Sequence, residues 1–199
     1  MLSTSKVKTP LGMRTLDFWP IKDEPEKGHP NYDASVNLGA AVKGYLTVTT
    51  NTATIPGDDI TQVEDEVFAS AQLDTETTMS DLQINAKLFG HTFSENDGED
   101  SKSSDRAVSG GVSFIEPILR KDKVLIYRAT CLRKATPIAS SEKQEADTRK
   151  NGELNPKMNA VSFKVTEDNL HSWRIRNDFE TEAAAEAFIK KTLGAATSG

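Results

Sequence analysis

The run RAVSGGVSFIEPILR, Arg106 to Arg120, is followed across Lys121-Asp122 by KVLIYRATCLRKA, Lys123 to Ala135. Both runs are rich in β-branched and aromatic residues, and a few charged residues separate them, which is the pattern of a β-hairpin. Val112 and Phe114 share a parity, with Ser113 between them. In the second run Leu125, Tyr127, Ala129 and Cys131 share one face. The other face starts with Val124 and Ile126 and turns polar at Arg128 and Thr130. A strand that is apolar on both faces at one end and on one face at the other lies half in a core and half at a rim. Gly110-Gly111 inside this pattern marks a bulge or a close backbone approach rather than a phosphate loop. No acid, base or nucleophile stands out on the hairpin, so function is to be sought elsewhere.

Toward the C-terminus, TPIASSEKQEADTRKNGELN, Thr136 to Asn155, has no sustained apolar period and reads as a long polar loop. NAVSFKVT, Asn159 to Thr166, alternates, with Val161, Phe163 and Val165 on one side. NLHSWRIRND, Asn169 to Asp178, reads as a further strand, and the two as a second hairpin turning through Glu167-Asp168-Asn169. The last element is a helix. Thr181 serves as N-cap, Glu182 complements the dipole, and Ala184, Ala185, Phe188, Ile189 and Leu193 form one stripe. Lys190 and Lys191 occupy the last turn, Gly194 caps it, and residues 195–199 are a flexible tail.

Toward the N-terminus, HTFSENDGEDSKSSD, His91 to Asp105, is an acidic loop. It fails as a calcium loop, because Gly98 at the sixth place puts Phe93 at the first ligand position. Val67 to Ile84 is a strand diluted by Thr and Ser, and Ile84 to Gly90 a short helix closed by a left-handed glycine. NTATIPGDDITQVEDE, Asn51 to Glu66, reads as a long polar loop with a Pro56-Gly57 turn and isolated apolar points. Ala34 to Thr50 carries a strand with AVKGYLTVTT as its body. Met1 to Asp33 is irregular apart from RTLDFWPI. It is either an arm that lies on a neighbour or a first edge strand with a loop, and Pro20 fits an edge.

The 199 residues suit one domain, residues 1–194. Thirty acids against 24 bases, net −6, argue against a protein that grips nucleic-acid phosphates, which needs a clustered positive face. The mean hydropathy of −0.51 implies much polar surface. A lone cysteine, Cys131, excludes an internal disulfide framework and a Cys-based zinc site, and reads as a small buried hydrophobe. No signal peptide and no membrane span are expected.

His29, His91 and His171 are far apart, and no HExxH, GxSxG, phosphate loop or CxxC is present. No cofactor or metal is expected. Arg174 and Arg176 share a strand face, and Arg120, Lys121 and Lys123 cluster at the hairpin turn. Both read as solvated charges or interface partners before a nucleic-acid patch. From the residues alone the chain is a mostly antiparallel β domain with long polar loops, an arm and a C-terminal helix. It suits an assembly protein better than an enzyme.

Four segments in order carry a resemblance. They are KLFGHTF around Leu88 to Thr92, GGVSFI from Gly110 to Ile115, KVLIYRATCLRK from Lys123 to Lys134, and Phe179 to Gly194 with its Ala-rich helix. ETTMSDLQI, Glu76 to Ile84, precedes them. Together they resemble the major tail proteins of long-tailed phages and prophages of Gram-positive bacteria. The likeness spans Glu76 to Gly194 and is poor over the N-terminal third. It implies a mainly β fold of two packed antiparallel sheets with a flanking C-terminal helix. It also implies a non-enzymatic virion protein, made in the host cytoplasm, whose copies form stacked hexameric rings. The partners implied are the chain itself, the tape measure protein and passing genomic DNA in the lumen, and the distal tail and tail terminator proteins, with no membrane. On this reading Ile55, Pro56, Asp58, Ile60 and Val63 belong to a subunit interface. The alternatives are a β-sandwich binding module for host or carbohydrate, which wants grouped exposed aromatics, and a hydrolase without a known motif.

Overall fold

The computed structural model describes residues 8–57, 60–78, 81–141 and 159–194. In chain order it contains β1 (Lys8–Pro10), β2 (Arg14–Asp23), β3 (Asn31–Tyr32), β4 (Val36–Asn37), β5 (Ala41–Gly57) and β6 (Ile60–Thr77). There follow α1 (Leu82–Phe89), β7 (Thr92–Ser94), β8 (Gly98–Asp100), β9 (Gly110–Arg120), β10 (Leu125–Pro137), β11 (Asn159–Thr166), β12 (Arg174–Phe179) and α2 (Glu182–Leu193). The fold is mainly β: one large antiparallel sheet, a small second sheet of β7 and β8, and two helices. The main path runs β3-β2-β9-β10-β11-β6-β5, with β1 beside β9, β4 beside β2 and β12 beside β10.

The hairpin of β9 and β10 is the centre of this sheet, as its composition indicates. Along Val112–Ile115 and Ala129–Leu132 both of its faces are covered, which is why both are largely apolar there. On one side Val112, Phe114 and Leu132 pack with Leu16 and Phe18 of β2, Leu73 of β6, Phe163 and Val165 of β11, and Leu88 and Phe89 of α1. On the other, Ile115, Ala129 and Cys131 pack with Trp19 and with Ala185, Ile189 and Leu193 of α2. Gly110 is required by close approach, because a Cβ there would lie 2.5 Å from the Phe18 ring and 2.6 Å from the Trp19 carbonyl. The polar residues of the hairpin do not all form a rim. Thr130 is 1% exposed, and Ser113 is buried as the acceptor for Trp19 Nε1 at 2.9 Å.

α2 follows its sequence signals. Thr181 Oγ1 accepts from the Ala184 N–H, and Ala185, Ile189 and Leu193 are the buried stripe. Gly194 donates its N–H to the Lys190 carbonyl in an extended rather than left-handed conformation. A Cβ on it would lie 2.1 Å from that carbonyl oxygen, which explains the glycine.

Several expectations are corrected. Asn51 to Glu66 is not a long loop. β5 and β6 stay paired from Asn51↔Val67 out to Gly57↔Ile60, and Pro56 pairs with Thr61. β11 leaves β6 at Ala71↔Val165, so this distal part is a two-stranded ribbon. The ribbon pairs with no third strand among the described residues, and its Thr, Ile and Val content supplies the strand preference in place of an apolar period. The strand read as Val67 to Ile84 ends at Thr77. α1 starts at Leu82, where Asp81 Oδ1 accepts the Gln83 N–H as N-cap, and Gly90 closes it at φ 77°. The acidic segment after it is no plain loop, since β7 and β8 pair there.

The stretch RTLDFWPI is an inner strand of this chain's own core. Leu16 and Phe18 have no exposed surface, and β2 lies between β9 on one side and the short β3 and β4 on the other. β11 and β12 do not form a hairpin. Both lie along the same edge of β10, β12 against Tyr127–Leu132 and β11 against Lys134–Pro137. A register irregularity at Leu132–Ala135 marks the corner. Of the loop read as Thr136 to Asn155, Thr136 and Pro137 belong to β10 and Ala139–Ser141 form a 3₁₀ turn. Residues 142–155 lie outside the described residues.

Candidate assembly surfaces

The residues singled out in the sequence for a subunit interface come together at the far end of the ribbon. Ile55 pairs with Val63, Pro56 with Thr61 and Gly57 with Ile60. Asp58 lies outside the described residues. β5 ends the sheet, and its outer edge pairs with no strand among the described residues. Closer to the body, Tyr45 is 59% exposed with Lys43 Nζ 5.0 Å from its ring centre, and Val48 and Val67 are exposed. The ribbon is anchored at its base, where Phe68 stacks on Trp173 with ring centres 4.5 Å apart and 6° between planes. The Arg174 guanidinium also lies over Trp173, 4.2 Å from its ring centre.

A second surface was not foreseen as a unit. Strand register places Lys8, Glu116, Arg128, Asp178, Thr130 and Arg176 on one face of β1, β9, β10 and β12. Arg128 pairs with both Glu116 and Asp178, Thr130 with Arg176, and Leu132 with Arg174. Asp178 holds two cations, Arg128 through Nε at 2.7 Å and Nη2 at 3.1 Å, and Lys8 through Nζ at 2.6 Å. The hydrogen bond from Arg128 holds its carboxyl below the usual range, although burial opposes this. Burial pushes Glu116 up, partly countered by Arg128 and Arg176. Arg174 is lowered by burial and by the nearby Arg176. No carboxylate among the described residues lies within ion-pair distance of Arg174 or Arg176. The Thr130 hydroxyl on this face is buried and has no hydrogen-bond partner among the described residues. The alternation of Arg174 and Arg176 showed a shared face, but nothing local told that β12 would lie beside Arg128.

Two histidines fasten turns. His29 Nδ1 is 2.6 Å from Asp168 Oδ2, and the fully buried Asp168 also accepts the N–H groups of Leu170 and Ser172 through Oδ1. Burial works to raise Asp168, yet those hydrogen bonds hold it below the ordinary carboxyl value. This ties the β2–β3 turn to the corner before β12, and Asn169 Nδ2 donates to the Pro25 carbonyl beside it. His91 Nδ1 lies 2.7 Å from Glu99 Oε1, joining the end of α1 to β8. His171 is exposed beside Glu167, whose hydrogen bond raises it. Among the described residues no group of three His, Cys, Asp or Glu is placed to hold a metal. Cys131 has no exposed surface, and burial pushes its thiol up to about 12. No helix among the described residues is long and apolar enough to cross a membrane.

No protein-family model matches this chain, and no curated protein matches it. The geometry of these surfaces therefore carries the functional reading beside the resemblance seen in the sequence.

Proposed function

We propose that the chain is a tail tube subunit whose copies join edge to edge into hexameric rings that stack into a conduit for DNA. The observation that carries this reading is the outer edge of β5, 17 residues long and unpaired among the described residues, on a ribbon that runs past the rest of the described sheet. A long free edge is an open template for another strand, and a folded chain retains one at the risk of aggregation unless a partner covers it. Edge-to-edge joining of sheets meets that need and matches the assembly implied by the resemblance. The ribbon supplies contacts between successive rings, through Ile55, Pro56, Asp58, Ile60 and Val63. The tape measure protein and passing DNA occupy the lumen, and distal tail and tail terminator proteins meet the tube ends. Net charge −6 favours a lumen wall that repels phosphates and lets DNA slide.

A carbohydrate- or host-binding module draws little support. Trp19 is 6% exposed and Trp173 is held between Phe68 and Arg174, so neither offers an open platform.

The test is to replace residues 51–66 by Asn-Gly, which closes the hairpin inside Phe68. The body should keep its fold by circular dichroism, and concentration-dependent association in sedimentation velocity should vanish. Association equal to that of the full chain would count against the reading.

A further inference from the structure

We propose that the face bearing Lys8, Arg128, Arg174 and Arg176 is the seat of the acidic ribbon of a second copy of this chain. This rests on the self-assembly reading and adds the identity of the two surfaces that meet. The face has four cations against Glu116 and Asp178. Asp178 is already shared between Arg128 and Lys8. No carboxylate among the described residues lies within ion-pair distance of Arg174 or Arg176, whose charges act on Glu116 from further away. Guanidinium groups present planar forks that suit carboxylates.

The complementary surface is on the same chain. From Gly44 to Gln72 the sequence contains Asp58, Asp59, Glu64, Asp65 and Glu66 and no lysine or arginine. The ribbon projects past its last three-stranded row by about 20 Å or more at roughly 3.4 Å per residue. That is enough to reach over a neighbouring copy. Phosphate also suits guanidinium groups, but a conduit wall with unpaired arginines would hold DNA rather than pass it. The arginines are therefore placed at a contact between copies.

The experiment is a charge swap in the full chain. One variant carries Glu64→Lys with Glu66→Lys, another Arg174→Glu with Arg176→Glu, and the milder Arg176→Gln guards against misfolding because Arg176 is exposed. Self-association is read by sedimentation velocity at low and high salt. The expected result is association that weakens with salt, falls about tenfold or more in each double variant, and returns when the two double variants are mixed. Arg176→Gln should show a smaller loss in the same direction. If the variants assemble as well as the parent chain, the seat is wrong and the tube reading stands. If the parent chain never associates, both fall. If the face variants lose binding to a short DNA duplex, measured by fluorescence anisotropy, while self-association is unchanged, the face is a nucleic-acid site and the proposal is overturned.

Discussion

Arg128 and Asp178 stand opposite each other in the β10–β12 register, joined by two hydrogen bonds of 2.7 and 3.1 Å, and Lys8 reaches the same carboxylate at 2.6 Å. One acid thus fastens β12 and the N-terminal β1 to the centre of the sheet. Asp178→Ala should cost about 1–2 kcal/mol at neutral pH in urea unfolding, more than an exposed pair because the contact is bidentate and half-buried. Its folded value is depressed, so this stability is present above the unfolded carboxyl value of about 4 and is lost as pH falls through the lower folded value. The gap between parent and variant should close over that acid range. A gap that stays constant into strong acid would contradict the assignment.

Asp168 is the stronger acid test. Its side chain has no exposed surface and accepts two backbone N–H groups as well as facing His29. Asp168→Ala leaves those donors unsatisfied and should destabilise by about 2–3 kcal/mol. Asp168→Asn retains an acceptor oxygen and should cost less, measured by the same urea titration.

Two glycines separate backbone strain from steric clash. Gly98 has φ 79°, and a methyl added there would meet nothing within 4 Å. Gly90 has φ 77°, and a methyl there would lie 2.2 Å from the Arg106 carbonyl oxygen. Gly98→Ala should cost about 1 kcal/mol from conformation alone. Gly90→Ala should cost clearly more, because the loop after β8 must move as well. Equal losses in thermal unfolding would show that the Arg106 contact does not matter.

Cys131 should be inert while the chain is folded. It has no exposed surface, and its thiol is pushed up to about 12, so little thiolate exists near neutrality. Labelling by a thiol reagent at mildly alkaline pH should follow the unfolding rate. Fast labelling of folded protein would contradict the packing of β10 against α2.

The central hairpin and α2 were legible because their signals are local: two apolar runs around a charged turn, and a capped stripe ending at Gly194. The ribbon was not. Thr, Asp and Glu make up half of residues 51–66, and strands of such composition look like loop in sequence. β12 was misplaced for a different reason. Its neighbour is decided by the irregularity at Leu132–Ala135 and by Asp168 fastening the corner, and neither is visible in the strand itself. Ile55, Pro56, Ile60 and Val63 lie together in the ribbon because the chain reverses just beyond Pro56-Gly57, a turn signal that the sequence does show. The charged face was half-visible, as two arginines of one parity without the strand that completes them.

The tube reading is tested most directly by negative-stain electron microscopy of the concentrated full chain. Hollow rings with six-fold symmetry that stack into tubes are expected, and they should be lost when residues 51–66 are replaced. A chain that stays monomeric at every concentration and in the presence of preformed tube ends, or one that binds glycan as a monomer, would contradict it.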